Sequence, residues 1–202
     1  MNKTEILKIM DLLEKNKQAE LDEYLKEQLL LVNMKASGGN AEVKRYKTAM
    51  RYIKNITDNR PMMKCAHVID GVQYLTDSFT GFALTNHIEG LPASDGNYPD
   101  LKSIIDGARS FNVIGKLYDL IPLAEIKTRA DLFKKKTVSQ AGKDDYININ
   151  GSYFNPCYLL NLLNILGGDD DIIVKSAGAG SLRPITLENS NGCAIIVPVR
   201  MD

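Results

Sequence analysis

The chain is poor in the residues that staple or metallate small folds. It has three cysteines (Cys65, Cys157, Cys193) and two histidines (His67, His87) in 202 residues. The cysteines are odd in number, widely spaced and without a CxxC pair. That argues against a disulfide framework or a cysteine zinc site, and for a reducing, cytoplasmic location. No His-x-x-x-His, Glu-x-x-His or Cys-His cluster accompanies the histidines, so no metal or cofactor is expected. Long apolar runs are also missing. The longest are 29–32 and 195–199, far short of the ~18 residues that mark a membrane span. The N-terminus, MNKTEILKIMDLLEKNK, is charged and amphipathic and lacks the apolar block of a signal peptide. Low-complexity stretches are absent, which with 44% hydrophobic residues argues against disorder. A chain of this mass buries roughly 70% of its surface, enough for one sizeable core or two small ones.

Net charge is zero, with 25 basic and 25 acidic residues, but the charge is not evenly spread. Residues 41–60 carry six basic and two acidic groups, and residues 121–143 again six and two. The three remaining segments, 1–40, 61–120 and 144–202, are net acidic. Two solvated, lysine-rich helix faces would give this pattern. So would two elements that face a polyanion while the rest of the surface does not.

Asn2 followed by Glu5 reads as a capping box opening a helix with Ile6, Ile9, Met10 and Leu13 on one face. A second helix carries Leu21, Tyr24, Leu25, Gln28 and Leu29 and ends near Asn33. Ser37-Gly38-Gly39-Asn40 reads as a loop and domain boundary. A helix follows over 43–56, with an apolar stripe of Val43, Tyr46, Ala49, Met50 and Ile53. Lys44, Lys47, Arg51 and Lys54 stand at i, i+3, i+7 and i+10 on its opposite side. Within 63–88 the pattern turns strand-like, in three runs, the first two separated by the hairpin pair Asp70-Gly71. Residues 91–99 read as a loop, and 101–120 fit helix and strand equally. A helix begins near Pro122, with Leu123, Ile126, Ala130 and Phe133 inward and Lys127, Arg129, Lys134, Lys135 and Lys136 around that face. A strand at 146–149 precedes a helix opened by Asn155-Pro156 and closed by Gly167-Gly168, and three strands end the chain. The expected class is α+β. A helix with three antiparallel strands occurs twice, so the strands can join edge to edge and the two helices can share one face of the sheet.

The run from Tyr153 onward contains Phe154-Asn155, Tyr158-Leu159-Leu160 opening a helix, Pro184-Ile185 and the closing Val197-Pro198-Val199-Arg200. Upstream come Arg60-Pro61, the Asp70-Gly71 hairpin and Asp95-Gly96-Asn97-Tyr98-Pro99-Asp100. In order and spacing, these elements resemble the bacterial DNA sliding clamp, the β subunit of DNA polymerase III. The resemblance covers about 41–100 and 146–202. It implies a clamp-like domain over 41–202, with an insertion at about 101–145 and an N-terminal helical extension over 1–40. Clamps of this family carry three such domains per chain, and two chains close a ring. This chain holds one domain, so a comparable ring implies six copies or other partners.

The resemblance implies a non-enzymatic processivity factor, of cellular or phage origin, that tethers a polymerase or another replication protein to duplex DNA. The DNA-binding candidates are Lys44, Lys47, Arg51 and Lys54, with Lys127, Arg129, Lys134, Lys135 and Lys136. Their contacts would be to phosphate and carry no base information. By position, Val197, Pro198, Val199, Arg200 and Met201 match the family's peptide-binding tail; an ordinary edge strand ending in proline also explains them. The alternative is an interaction adaptor that keeps the clamp fold without encircling DNA, with the helices near the N-terminus holding the partner or a second copy. No constellation for catalysis is present. Ser152, Ser176 and Cys157 lack an identifiable base. Asp169-Asp170-Asp171 reads as a solvated turn, and Gly178-Ala179-Gly180-Ser181 lacks the lysine of a P-loop.

Overall fold

The structure is a computed structural model that describes residues 3–57, 59–94, 96, 98–136, 140–167 and 171–201. The chain divides into two compact units, Met1–Val43 and Lys44–Asp202. No helix among the described residues is long and apolar enough to cross a membrane.

The first unit is a helical hairpin of α1 (Lys3–Glu14) and the opening part of α2 (Gln18–Lys54). Asn16, in the left-handed region at φ 52°, makes the turn between them. The seam is Leu12 against Leu21 and Tyr24, with Ile9 packed beside them and the Lys8 ammonium 4.2 Å from the centre of the Tyr24 ring. The seam takes up only one edge of the apolar face of α1. Ile9 and Leu12 turn inward, while Ile6, Met10 and Leu13 stay about half exposed. One partner helix covers only one seam, and the apolar arc of α1 is broader than that. The loop expected at Ser37-Gly38-Gly39-Asn40 is corrected. The helix runs on to Lys54 and is interrupted only at Gly39, whose φ of 67° and ψ of −158° leave the helical region. A single glycine absorbs the whole break because it has no Cβ to clash there. The capping box lies partly outside the described residues, since Asn2 is not among them.

The second unit is α+β around an antiparallel sheet. Its strands are β1 (His67–Ile69), β2 (Val72–Thr76), β3 (Thr80–Leu84), β4 (Asn112–Lys116), β7 (Ile173–Ser176), β8 (Ile185–Asn189) and β9 (Gly192–Ile196), in the order β1-β2-β3-β9-β8-β7-β4. A separate hairpin pairs β5 (Ile147–Ile149) with β6 (Ser152–Phe154). Asp70 and Gly71, both at positive φ (52° and 75°), form the β1–β2 turn in the conformation that matches strand twist. Asn150-Gly151 does the same between β5 and β6 (51° and 78°).

The two three-strand meanders meet at β3 and β9, with Thr80 opposite Ile196, Phe82 opposite Ala194 and Leu84 opposite Gly192. Gly192 is required: a Cβ there would lie 2.3 Å from the Ala83 carbonyl oxygen. Residues alternate between the two faces of the sheet. Tyr74, Ala83, Cys193 and Ile195 pack under α3 (Leu101–Arg109) through Leu101, Ile105 and Ala108. Phe82, Ala194 and Ile196, all fully buried, face the other way. On that side lie the end of α2 and α6 (Pro156–Leu166). The Tyr52 ring meets the Phe82 ring edge-on at 5.5 Å, and its hydroxyl donates to the Thr80 carbonyl at 3.1 Å.

The two helices run antiparallel. Arg45, early in this part of α2, reaches the end of α6, whereas Asn55 and Ile56, just past the end of α2, share a pocket with Tyr158 and Asn161 near the start of α6. The short α4 (Leu117–Leu120) follows β4, and α5 (Leu123–Phe133) then packs on α6. The segment 101–145 is therefore built into the fold: it supplies the edge strand β4 and the helix over the second face.

Candidate nucleic-acid interface

Within the second unit, α2 divides its residues cleanly. Arg45, Tyr46, Thr48, Ala49, Tyr52 and Ile53 are buried, and Met50 is half-buried. Lys44, Lys47, Arg51 and Lys54 are all exposed. At about 100° per residue, these four cations fall within an arc of roughly 80°, centred opposite the buried residues. Successive charges climb the helix by about 4.5–6 Å, giving a row some 15 Å long. None of the four forms an ion pair among the described residues. Arg51 and Lys54 occupy the last turn, where the carbonyl end of the helix also favours cations.

Arg45 is the cation of this segment that the charge count alone cannot assign. It is 2% exposed, and its Nε donates to the Ile165 carbonyl at 2.7 Å, at the end of α6. A second guanidinium nitrogen donates to the Asn86 carbonyl. Its phase, one residue after Lys44, places it on the apolar side of the helix, but the carbonyls that hold it come from distant segments.

The cations of α5 and the residues after it are placed differently. Arg129 contacts Glu125 at 2.8 Å and donates to the carbonyls of Asp144 and Tyr146 at 2.6 and 3.0 Å. It ties α5 to the segment that enters β5. Lys134 pairs with Asp131 at 3.0 Å, and Lys136 with Asp145 at 2.5 Å. The Lys136 hydrogen bond, helped by the Gly142 N–H, holds the Asp145 carboxyl below the usual range. Lys127 and Lys135 are exposed and unpaired among the described residues. The two cation sets therefore stand apart, one on α2, which Arg45 ties to the end of α6, and one on and just after α5, which packs on α6. That helix has no lysine or arginine and no exposed residue.

The C-terminal residues do not form a free strand. The Val197 N–H donates to the Phe79 carbonyl at 2.9 Å, and the Val199 N–H to the Tyr153 carbonyl at 2.7 Å. Pro198 is buried, Arg200 is exposed and Met201 is half-buried. Two hollows flank this path. One, of about 170 Å³, is lined by Tyr153, Leu182, Pro198, Val199 and Met201. The other, of about 330 Å³, is more apolar and is lined by Met63, Phe79, Ile104, Pro184 and Val197. No family model, no curated protein and no solved structure matches this chain.

The remaining polar candidates serve the fold. The Ser152 hydroxyl donates to the Ser181 carbonyl at 2.8 Å and the Ser176 hydroxyl to the Gly178 carbonyl at 3.1 Å, which fixes the turn through Gly178-Ala179-Gly180-Ser181. The Cys157 thiol points to the Ala130 carbonyl at 3.4 Å, and burial raises its pKa. Burial pushes the Cys193 thiol up to about 12, so it stays protonated and acts as a small apolar group under α3. Among the described residues, no group of three or more His, Cys, Asp or Glu side chains could hold a metal ion. Asp169 and Asp170 lie outside the described residues.

Proposed function

We propose that this chain is a clamp-like DNA tether, a non-enzymatic subunit that lies against or around duplex DNA and keeps a replication protein on it. The observation that carries this reading is the row Lys44, Lys47, Arg51, Lys54: four exposed cations without ion pairs among the described residues, on a helix whose opposite side is fixed to the sheet. Such a row suits phosphates and supplies no base contacts, which is what a protein that moves along DNA requires. The paired meanders, with two helices side by side on one sheet face, support the same reading. Lys127 and Lys135 would extend the contact. Arg129, Lys134 and Lys136 would contribute less, because acidic or carbonyl partners already hold them. Val197, Pro198, Val199, Arg200 and Met201, beside the two hollows, would receive a peptide of a polymerase or other partner.

The test is salt dependence. Each phosphate that the protein no longer neutralises flattens the slope of log affinity against log salt by roughly 0.9, so changing all four α2 cations to Gln should flatten it by about 3–4. The melting temperature should barely change, because exposed charges contribute little to folding. A quadruple variant with the parent's salt slope, or a parent protein with no DNA affinity at low salt, refutes the reading.

A further inference from the structure

Among its described residues, the helical hairpin carries a second apolar surface that its own seam does not bury. In α1, Ile6, Met10 and Leu13 are 44%, 50% and 56% exposed, and in α2, Leu25, Leu29 and Val32 are 46%, 62% and 64% exposed. Both triplets have the spacing i, i+4, i+7. At about 100° per residue, each is centred roughly 80–95° past its own seam residues, Ile9/Leu12 and Leu21/Tyr24, in the same rotational sense. The helices are antiparallel, so equal rotation in the same sense brings both triplets to one side of the hairpin. They form a single apolar face.

The contacts Lys8–Tyr24 and Leu12–Leu21 fix the register of that face. Ile6 and Leu25 stand near its middle. Met10 and Leu13 lie toward the turn, on α1. Leu29 and Val32 lie toward the open end, on α2. The apolar band therefore crosses the hairpin diagonally. Two charged residues on the outer flanks occupy the corners off that diagonal: Lys3 at the open end of α1 and Asp22 at the turn end of α2.

We propose that this face is the docking site for a second copy of the chain. Two hairpins pack face to face about a twofold axis that runs along the diagonal and form a four-helix core. That axis exchanges the off-diagonal corners, so the Lys3 of each copy comes over the Asp22 of the other. The surface is self-complementary in charge, as a twofold interface must be. The apolar area falls just short of the standard range before flanking polar atoms are counted. Six side chains of these sizes and exposures offer on the order of 550 Å² per copy, about 1,100 Å² for the pair before flanking polar atoms, against the ~1,200–2,000 Å² of standard stable interfaces. The proposal is independent of the DNA reading, because none of these residues belongs to either cation set.

The experiment uses the full chain, with light scattering over a dilution series. The parent should be a dimer at micromolar concentration. Met10→Glu with Leu29→Glu should weaken the dimer at least a hundredfold while leaving the circular dichroism spectrum unchanged. Lys3→Asp should weaken it less, and adding Asp22→Lys should restore it. Leu29→Cys, which lies on the diagonal axis, should cross-link the two copies on oxidation where the parent does not. A parent that stays monomeric at high micromolar concentration overturns the proposal, whether the face covers itself or takes another partner. So does a dimer indifferent to the Met10/Leu29 pair, or one in which Leu29→Cys fails to cross-link.

Discussion

Helices α2 and α6 hold equivalent places in the two halves of the sheet unit, each preceding three antiparallel strands and each lying over the β3–β9 junction. Their outer sides have opposite fates. From Lys44 to Lys54, α2 keeps a charged row in solvent, whereas every residue of α6 is buried or half-buried because α5 packs on it. Repetition of a plan therefore does not repeat its surface. Among the described residues, the segment between the halves, 101–145, makes the difference: α5 covers α6, while the cation side of α2 stays in solvent.

That contrast can be broken by substitution, and the largest effect should come from α6. Leu162 is fully buried. Leu162→Ala should cost about 2–5 kcal/mol, with a denaturant midpoint that falls at unchanged slope. A loss under about 1 kcal/mol would falsify the buried-helix picture.

Next comes the link between the two helices. Arg45→Met leaves the Ile165 and Asn86 carbonyls without their charged donor, and should cost about 2–3 kcal/mol. DNA affinity measured well below the melting temperature should hold, because Arg45 lies on the opposite side of α2 from the cation row. If Arg45→Met instead flattens the salt slope as far as Lys47→Gln does, the separation of the two roles on this helix is wrong.

The smallest effect concerns the cover on α6. The folded Asp145 carboxyl titrates below its usual range, so its stabilising contribution is present above the ordinary carboxylate range. It is lost as the pH falls through the lowered folded value. Asp145→Asn should therefore melt slightly earlier than the parent near neutral pH, and the two curves should converge in strong acid. A gap that persists in acid would mean that the Asn acts through packing and not through the missing charge.

The strands and turns were largely readable because their signals are local. Asp70-Gly71 specifies its turn through two positive φ angles, and Asn155-Pro156 opens α6 because the Asn155 side chain accepts from the N–H groups of Cys157 and Tyr158. Asn150-Gly151 carried the same hairpin signal as Asp70-Gly71, and the β5–β6 pair could have been read from it. The stretch 101–120 resisted reading because it contains both states, α3 and then β4. Its inward face was recognisable only once a sheet was there to receive Leu101 and Ile105. The inward faces of α1 and α2 in the hairpin were ambiguous for a related reason. Their apolar arcs are wider than one seam, and periodicity cannot say which part a single partner will cover.

By itself, the sequence determined the α+β class, the positions of the strand hairpins and the phase of the α2 cation row. Each depends on residues within one or two turns of one another, so backbone sterics and helical periodicity suffice. Only the tertiary structure decided that Arg45 is a buried strut, that Arg129, Lys134 and Lys136 are held by their own chain, and that α6 is covered. Those outcomes depend on partners brought from distant segments. A cation has the same helical phase whether its neighbour in space is water, a carboxylate or a carbonyl, and only the packing supplies that neighbour.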